Sequence, residues 1–338
     1  MKIMTDKTPF MVAEMSGNHN QSLEKALQII DAAADAKVDA IKLQTYTADT
    51  ITLPGVYTIK DKNSLWSSRD LYDLYREAHT PWEWHKALFD RAKEKGIICF
   101  STPFDETAVD FLESLNNPIY KIASFEVNHI PLLKYIAKTG KPVIMSTGAS
   151  TLAEIEEGVN TLRENGCTDL TLLKCTSTYP ATPENSNLLT IPHLRQLFDC
   201  KVGLSDHTLG IGVAIASVAL GATVIEKHFC LSRAEGGVDS AFSMEPMEMK
   251  ALVEEVNRAH AALGDVSYGV LEAEKNSRIF KRSIYASKRI KAGEAFTKDN
   301  IKVIRPGDGA HPRYYEQLFG TGSTVDINAG TPIILTNQ

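Results

Sequence analysis

Two histidines stand at the ends of successive β-branched apolar runs, His207 in "KVGLSDHT" and His228 in "TVIEKHF". An imidazole closing each of two neighbouring strands brings two nitrogen donors to one place, which suits a divalent cation with positions left open for water or substrate oxygen. An open centre of that kind works as a Lewis acid. Spacing alone does not name the metal, and either histidine taken singly reads as an ordinary structural group. Lys42 in "AIKLQT" and Lys121 in "IYKIAS", with the hydroxyls of Ser146 and Ser205, could surround an oxyanion, the ammonium groups as point charges and the hydroxyls as directional donors. The competing role for each lysine is to neutralise a nearby carboxylate. Two lysines inside an apolar rim are costly without anions, so a doubly anionic substrate is the economical inference. Glu14 in "AEMSGNHN" ends the first run and serves as an acid or base if burial raises its pKa, or as a counter-ion to Lys42. Lys174 in "LTLLKCT" offers another chemistry, a Schiff base with a carbonyl substrate and no metal.

The elements that must position these residues are short and regular. Eight β-rich runs, "FMVAEMS", "AIKLQT", "IICFSTPF", "IYKIAS", "PVIMST", "LTLLKCT", "KVGLSD" and "TVIEKHF", alternate with amphipathic stretches such as "SLEKALQIIDAAADA" and "TLAEIEEGVNTLRENG". The pattern predicts a (β/α)₈ TIM barrel, whose active site lies where the C-terminal strand ends meet. An open doubly wound sheet would carry a glycine-rich turn after its first strand, and "SGNHNQS" is not one. A single polar residue at a strand end is usually a helix cap. Polar residues at the ends of all eight runs are harder to dismiss. The stretch from Tyr46 to His79 is too long for an ordinary loop and reads as a lid.

Beyond about Gly269 the alternation stops. Three parts follow: a catalytic barrel over residues 1–268, a linker over 269–282, and a small β-rich module over 283–338 in which "IKAGEAF" is echoed by "INAGTPI". A module that small is expected to dock on another surface.

Of the 338 residues, 43% are hydrophobic and 23% charged, an ordinary globular balance. A formal net charge of -6 without a basic block argues against a nucleic-acid partner. The five cysteines show no CxxC spacing, which fits a reducing cytoplasm and neither a disulfide framework nor a zinc knuckle. The start "MKIMTDKTPFMVAEM" lacks a signal-peptide core and no run is long enough to span a membrane, so a soluble, unprocessed protein is expected.

The motifs "AEMSGNHNQSLEKA", "IKLQT", "FSTPFD", "IMSTGA", "GLSDHTLG", "EKHF" and "VIRPGDG" together resemble the sialic acid synthase family, over nearly the whole chain. That family condenses phosphoenolpyruvate with an N-acetylated hexose, and the tail is similar to its antifreeze-like (SAF) domain. "LQTYTADTITL", "SLWSSRDLYDLYREAHTPWEWHKALFDRAKEKG" and "GGVDSAFSMEP" look closest to the pseudaminic acid synthase branch. The resemblance then implies 2,4-diacetamido-2,4,6-trideoxy-L-altrose as acceptor, pseudaminic acid and phosphate as products, and C–O cleavage of phosphoenolpyruvate. It implies nonulosonic acid biosynthesis for surface glycans and flagellin glycosylation. Legionaminic or N-acetylneuraminic acid synthesis is the alternative, and a non-catalytic sugar-phosphate binding barrel is the alternative of another class.

The same resemblance assigns residues. His207 and His228 would hold manganese, with magnesium or cobalt as alternatives. Lys42, Thr102, Lys121, Ser124, Ser146, Ser177, Tyr179 and Ser205 would line the phosphoenolpyruvate pocket, although many relatives have asparagine where "CTSTYP" has Ser177. Gln44, Glu126 and Asp239 would contact sugar or metal-bound water. Arg305 of "VIRPGDG" would reach the sugar from a partner subunit in a domain-swapped homodimer.

Overall fold

A computed structural model describes residues 8–335 and divides the chain into two compact units, Met1–Gly264 and Asp265–Gln338. The expectation of an unprocessed N-terminus concerns residues 1–7, which lie outside the described residues.

The first unit is a closed parallel barrel of eight strands in sequence order. They are β1 (Phe10–Glu14), β2 (Ala40–Thr45), β3 (Ile98–Pro103), β4 (Tyr120–Ile122), β5 (Val143–Ser146), β6 (Leu170–Cys175), β7 (Lys201–Asp206) and β8 (Val224–His228). The TIM barrel expected from the alternation is the fold observed. Closure is made by β1 against β8, in a register that sets Glu14 beside His228, while on its other side Glu14 lies beside Lys42 of β2.

Successive residues of a strand point to opposite faces, and that period sorts the side chains here. Phe10, Val12, Ala40, Phe100, Ile119, Ile144, Leu173 and Val224 pack together and fill the barrel below the mouth. Their neighbours of opposite parity, such as Met11, Ile41, Tyr120, Met145, Leu172 and Ile225, join the larger core between strands and helices. Continuing the inward series upward by twos gives Glu14, Lys42, Gln44, Thr102, Lys121, Ser146, Cys175, Ser205, His207, Glu226 and His228. The apolar plug below therefore excludes water from one side of a polar layer.

The helices begin as their sequences dictate. Ser22 caps the helix Leu23–Asp35 by accepting from Lys25 N, and Thr151 with Glu154 forms a reciprocal capping box ahead of Leu152–Glu164. The long stretch after β2 is ordered and not a bare loop. A short helix Ala48–Ile51 is followed by a bridge between Thr58 and Asp70, and Asp70 then caps the helix Leu71–Ala78.

The second unit holds an antiparallel pair, β9 (Ser283–Ala286) and β10 (Ile301–Ile304), around Ile284, Ile290, Phe296, Ile301, Leu318 and Ile333. The echoed segments pair with each other: Ile290 N donates to Ile327 O and Ile327 N to Ile290 O, both at 2.8 Å. Each carries a turn glycine in the left-handed region at its centre, Gly293 at φ 83° and Gly330 at φ 81°.

Candidate active site

The polar layer at the mouth is an ion cluster with very little water access. Lys42 Nζ lies 2.6 Å from Glu14 Oε2 and 3.8 Å from Glu226 Oε1, and Lys121 Nζ lies 3.9 Å from the same Glu226 oxygen. Lys42 donates to Thr102 Oγ1 at 3.2 Å, and Lys121 donates to Ser146 Oγ at 2.7 Å. Ser205 Oγ donates to Glu226 Oε1 at 3.3 Å and Gln44 Nε2 to Glu14 Oε1 at 2.9 Å. Burial, the largest influence, lifts the Glu14 carboxyl above its ordinary range against the pull of Lys42. Burial also acts on both lysines. It brings Lys121 below its usual value, whereas Glu14 and Glu226 outweigh it at Lys42 and keep that ammonium charged. At Glu226 burial is likewise overcome, by Lys121 and Lys42, and the carboxylate stays ionised.

The two histidines converge beside this cluster, with ring centroids 5.3 Å apart. Their positions follow from the outward residues between them. Asp206 and Lys227 form a buried pair at 2.8 Å on the opposite strand faces, and Asp206 also accepts from Thr208 N and Oγ1. This clasp fixes the ends of β7 and β8 so that His207 and His228 both turn inward. His207 Nδ1 donates to Thr176 O at 2.9 Å, which leaves its Nε2 for a ligand. His228 Nδ1 is buried without a hydrogen-bond partner, and burial followed by His207 holds its pKa well below the ordinary value, in the neutral form that binds metals. Among the described residues no group of three or more His, Cys, Asp or Glu side chains closes on one point. Two imidazoles with an orphaned nitrogen fit a centre completed by substrate and water, the donor set of an open Lewis-acid site.

A cleft of about 540 Å³ opens above the polar layer, with Gln44, Glu126, Ser177, Tyr179, His228 and Asp239 on its floor side. Burial pushes the Glu126 carboxyl up to about 7, against Lys121, and its Oε2 has no hydrogen-bond partner. Asp239 accepts from Ser16 Oγ and lies 3.9 Å from His228 Nδ1. Tyr179 covers His207 at a ring-centroid distance of 4.4 Å. Ser124 Oγ accepts from Gly148 N at 3.0 Å, and Ser177 Oγ lies 3.7 Å from Cys175 Sγ. The barrel mouth therefore gathers the residues singled out from the sequence except two: Lys174, which turns outward, and Arg305, which is exposed in the second unit just beyond β10.

Three residues at the mouth were not among the assigned site residues. Glu226 lies two positions before His228, so the period of two places it on the inner face and between both lysines. Cys175 follows from Leu173 by the same rule; burial opposes its ionisation, but contacts from His207, Ser124 and Ser177 bring the thiol down to about 6. Gly148 leaves no local signal, because its role is the absence of a side chain. A Cβ there would come 2.2 Å from Ser177 Oγ and 2.8 Å from Ser124 Oγ. Lys174, the Schiff-base candidate, has the parity of Leu172 and turns away from the barrel interior, donating to Cys175 O and Thr176 Oγ1.

Against known proteins, the NeuB family matches residues 29–268 and the SAF domain residues 281–334. The chain belongs to the NeuB family. A pseudaminic acid synthase of Campylobacter jejuni is 46% identical over 327 residues, covering 96% of this chain and 95% of its own. An N,N'-diacetyllegionaminic acid synthase of the same species is 38% identical over 325 residues, covering 94% and 96%. The crystal structure of an N-acetylneuraminic acid synthetase from Leptospira borgpetersenii superposes with a TM-score of 0.71 at 32% identity, over 80% of this chain and 90% of that one.

Proposed function

We propose that this NeuB-family barrel is a pseudaminic acid synthase, joining phosphoenolpyruvate to 2,4-diacetamido-2,4,6-trideoxy-L-altrose with release of phosphate. The observation that carries the reading is the mouth itself: two buried ammonium groups and a ring of hydroxyls for a doubly anionic substrate, next to two convergent imidazoles. The higher identity to the pseudaminic than to the legionaminic acid synthase of one species supports the branch.

His207 and His228 would hold a divalent cation, manganese in this reading, which when bound supplies Lewis-acid polarisation of the acceptor's aldehyde oxygen. Lys42 and Lys121 hold the phosphate and carboxylate of phosphoenolpyruvate, with Thr102, Ser124, Ser146, Ser177 and Ser205 as directional donors and Tyr179 closing the pocket. In that grip the enol carbon faces the aldehyde carbon, and fixing the pair supplies a large part of the acceleration. Gln44, Glu126 and Asp239 orient the sugar and the attacking water. The enol carbon bonds to the aldehyde carbon, whose oxygen takes up a proton to become a hydroxyl; water then adds to the carbon that carries the phosphate, and the C–O bond to phosphate breaks as that carbon becomes a ketone. Glu14, with its raised pKa and its carboxylate oriented by Gln44 and Lys42, takes the proton from water and returns it to the departing phosphate.

The catalytic part is taken as residues 1–268, followed by a linker over 269–282 and the SAF domain over 283–338. Arg305 is exposed and forms no hydrogen bond or ion pair among the described residues, which leaves its guanidinium free to reach an N-acetyl sugar across a domain-swapped homodimer. Arg305→Ala should raise the KM for sugar more than that for phosphoenolpyruvate; an unchanged sugar KM refutes this. Five free cysteines and, among the described residues, no helix long and apolar enough to cross a membrane support work in the cytoplasm, supplying nonulosonic acid for surface glycans and flagellin.

Phosphate release by the full chain, measured on a panel of acetamido sugars, tests the reaction. The diacetamido trideoxy sugar should give the highest kcat/KM, a chelator should abolish turnover, and added manganese should restore it. Binding of phosphoenolpyruvate without phosphate release from any sugar would make the barrel a binding protein instead.

A further inference from the structure

The cleft has two unlike sides. Its carboxylates and its amide come from the strand ends and the loops after them, near the imidazoles, whereas the roof built by the segment between β2 and β3 brings Ile59, Leu71 and Leu74 to the same space, together with the rings of Tyr46, Trp66 and Tyr75. We propose that these three aliphatic side chains form an apolar subsite that receives the methyl terminus of a 6-deoxy acetamido sugar and disfavours acceptors with a hydroxyl at that carbon. The inference rests on the reaction proposed above and adds what selects its acceptor.

The direction of the sugar follows from the chemistry. Its aldehyde has to meet the imidazoles and the enol carbon at the floor, so the opposite end of the six-carbon chain is carried toward the roof. That roof is a built surface. Ile59 N donates to Arg69 O at 2.9 Å, Ser68 N to Ile59 O at 2.8 Å and Leu71 N to Tyr57 O at 2.9 Å. The backbone donors of Ile59 and Leu71 are thus spent inside the hairpin, and only their side chains are left to face a ligand. Asp70 caps the helix that carries Leu71 and Leu74 by accepting from Tyr72 N at 3.0 Å. Trp66 Nε1 ties the hairpin to the loop after β8 by donating to Val238 O at 2.9 Å. Ile59 and Leu71 remain half-buried, so their apolar surface is open to the cleft, while Leu74 is buried behind them. A methyl group covers that surface. A hydroxyl brought to the same place loses its water and finds no aliphatic partner.

The test compares the 6-deoxy acceptor with its 6-hydroxy counterpart of the same configuration, using full-length enzyme and phosphate release. Wild type should favour the deoxy sugar by about 10- to 100-fold in kcat/KM, the range for a hydroxyl entering an apolar pocket. Ile59→Thr and Leu71→Asn should each narrow that ratio by about tenfold, mostly through a higher KM for the deoxy sugar with the KM for phosphoenolpyruvate unchanged. A wild-type ratio near one, with both sugars turned over, overturns the subsite and leaves the reaction standing. A ratio that the two variants leave unaltered overturns the assignment to these side chains. Turnover of neither sugar overturns the reaction, and the subsite with it. The wild-type ratio needs no variant to fold, so the test survives a misfolded substitution.

Discussion

Adding a single methyl group at Gly148 should damage phosphoenolpyruvate binding without touching any charged residue. Gly148 is buried just past the end of β5, and its N–H donates to Ser124 Oγ at 3.0 Å. In Gly148→Ala the new Cβ would stand 2.2 Å from Ser177 Oγ, 2.8 Å from Ser124 Oγ and 3.1 Å from Cys175 Sγ. The first two overlaps are too deep for small shifts, so both serine hydroxyls must rotate away from their present directions. Each is proposed to donate to the bound anion. A hydrogen bond to a charged group contributes about 1.5–3 kcal/mol, so losing one lowers affinity by about 10- to 150-fold. Initial rates at saturating sugar should show that loss in kcat/KM for phosphoenolpyruvate, while the KM for sugar stays near wild type. Ser177→Ala isolates the cause. It gives up its own contact but removes the atom that the new methyl strikes most deeply, so Gly148→Ala should cost much less in that background. Wild-type kinetics for phosphoenolpyruvate in Gly148→Ala, or an equal penalty with and without Ser177, would refute the reasoning.

Trp66→Phe keeps a ring against Tyr179 and Phe242 but loses the hydrogen bond to Val238 O. A neutral bond of about 0.5–1.5 kcal/mol corresponds to a roughly 2- to 12-fold rise in the KM for sugar with an unchanged KM for phosphoenolpyruvate, and equal sugar kinetics would count against the tether. Burial raises the Glu126 carboxyl from its ordinary 4.5 to about 7. Between those values the folded chain keeps a proton that the unfolded chain has lost, so stability falls as pH rises through the window and levels off above it. Glu126→Gln removes the titration, and its melting temperature should gain on wild type from pH 4.5 to 7 and hold a constant lead above; parallel curves would refute the raised pKa.

Much of the fold was legible because its signals are local. A parallel strand covered on both faces needs a short apolar run, and a helix lying on it needs a stripe of period 3.6; most of the pairs of runs carry these patterns. Strand ends were equally legible, since polar residues there interrupt apolar runs, and this is how His207, His228, Lys42 and Lys121 stood out. The roof was readable only as an overlong connection. Its bridge between Thr58 and Asp70 and its tether from Trp66 to Val238 join residues whose pairing has no repeating pattern.

What the sequence determined by itself was the set of strands and the polarity of their ends, because alternation and capping are settled within a few residues. Which of two adjacent polar residues faces the interior was decided by closure. The register of β8 on β1 turns Glu226 and His228 to the interior and Lys227 to the exterior, and the parity of β6 sends Cys175 inward and Lys174 outward. Gly148 makes the same point from the other side: its missing side chain matters only because Ser124 and Ser177, from two other strand ends, come to occupy that space. A barrel's inner surface belongs to all its strands at once, and distances across it are fixed only when the last strand meets the first.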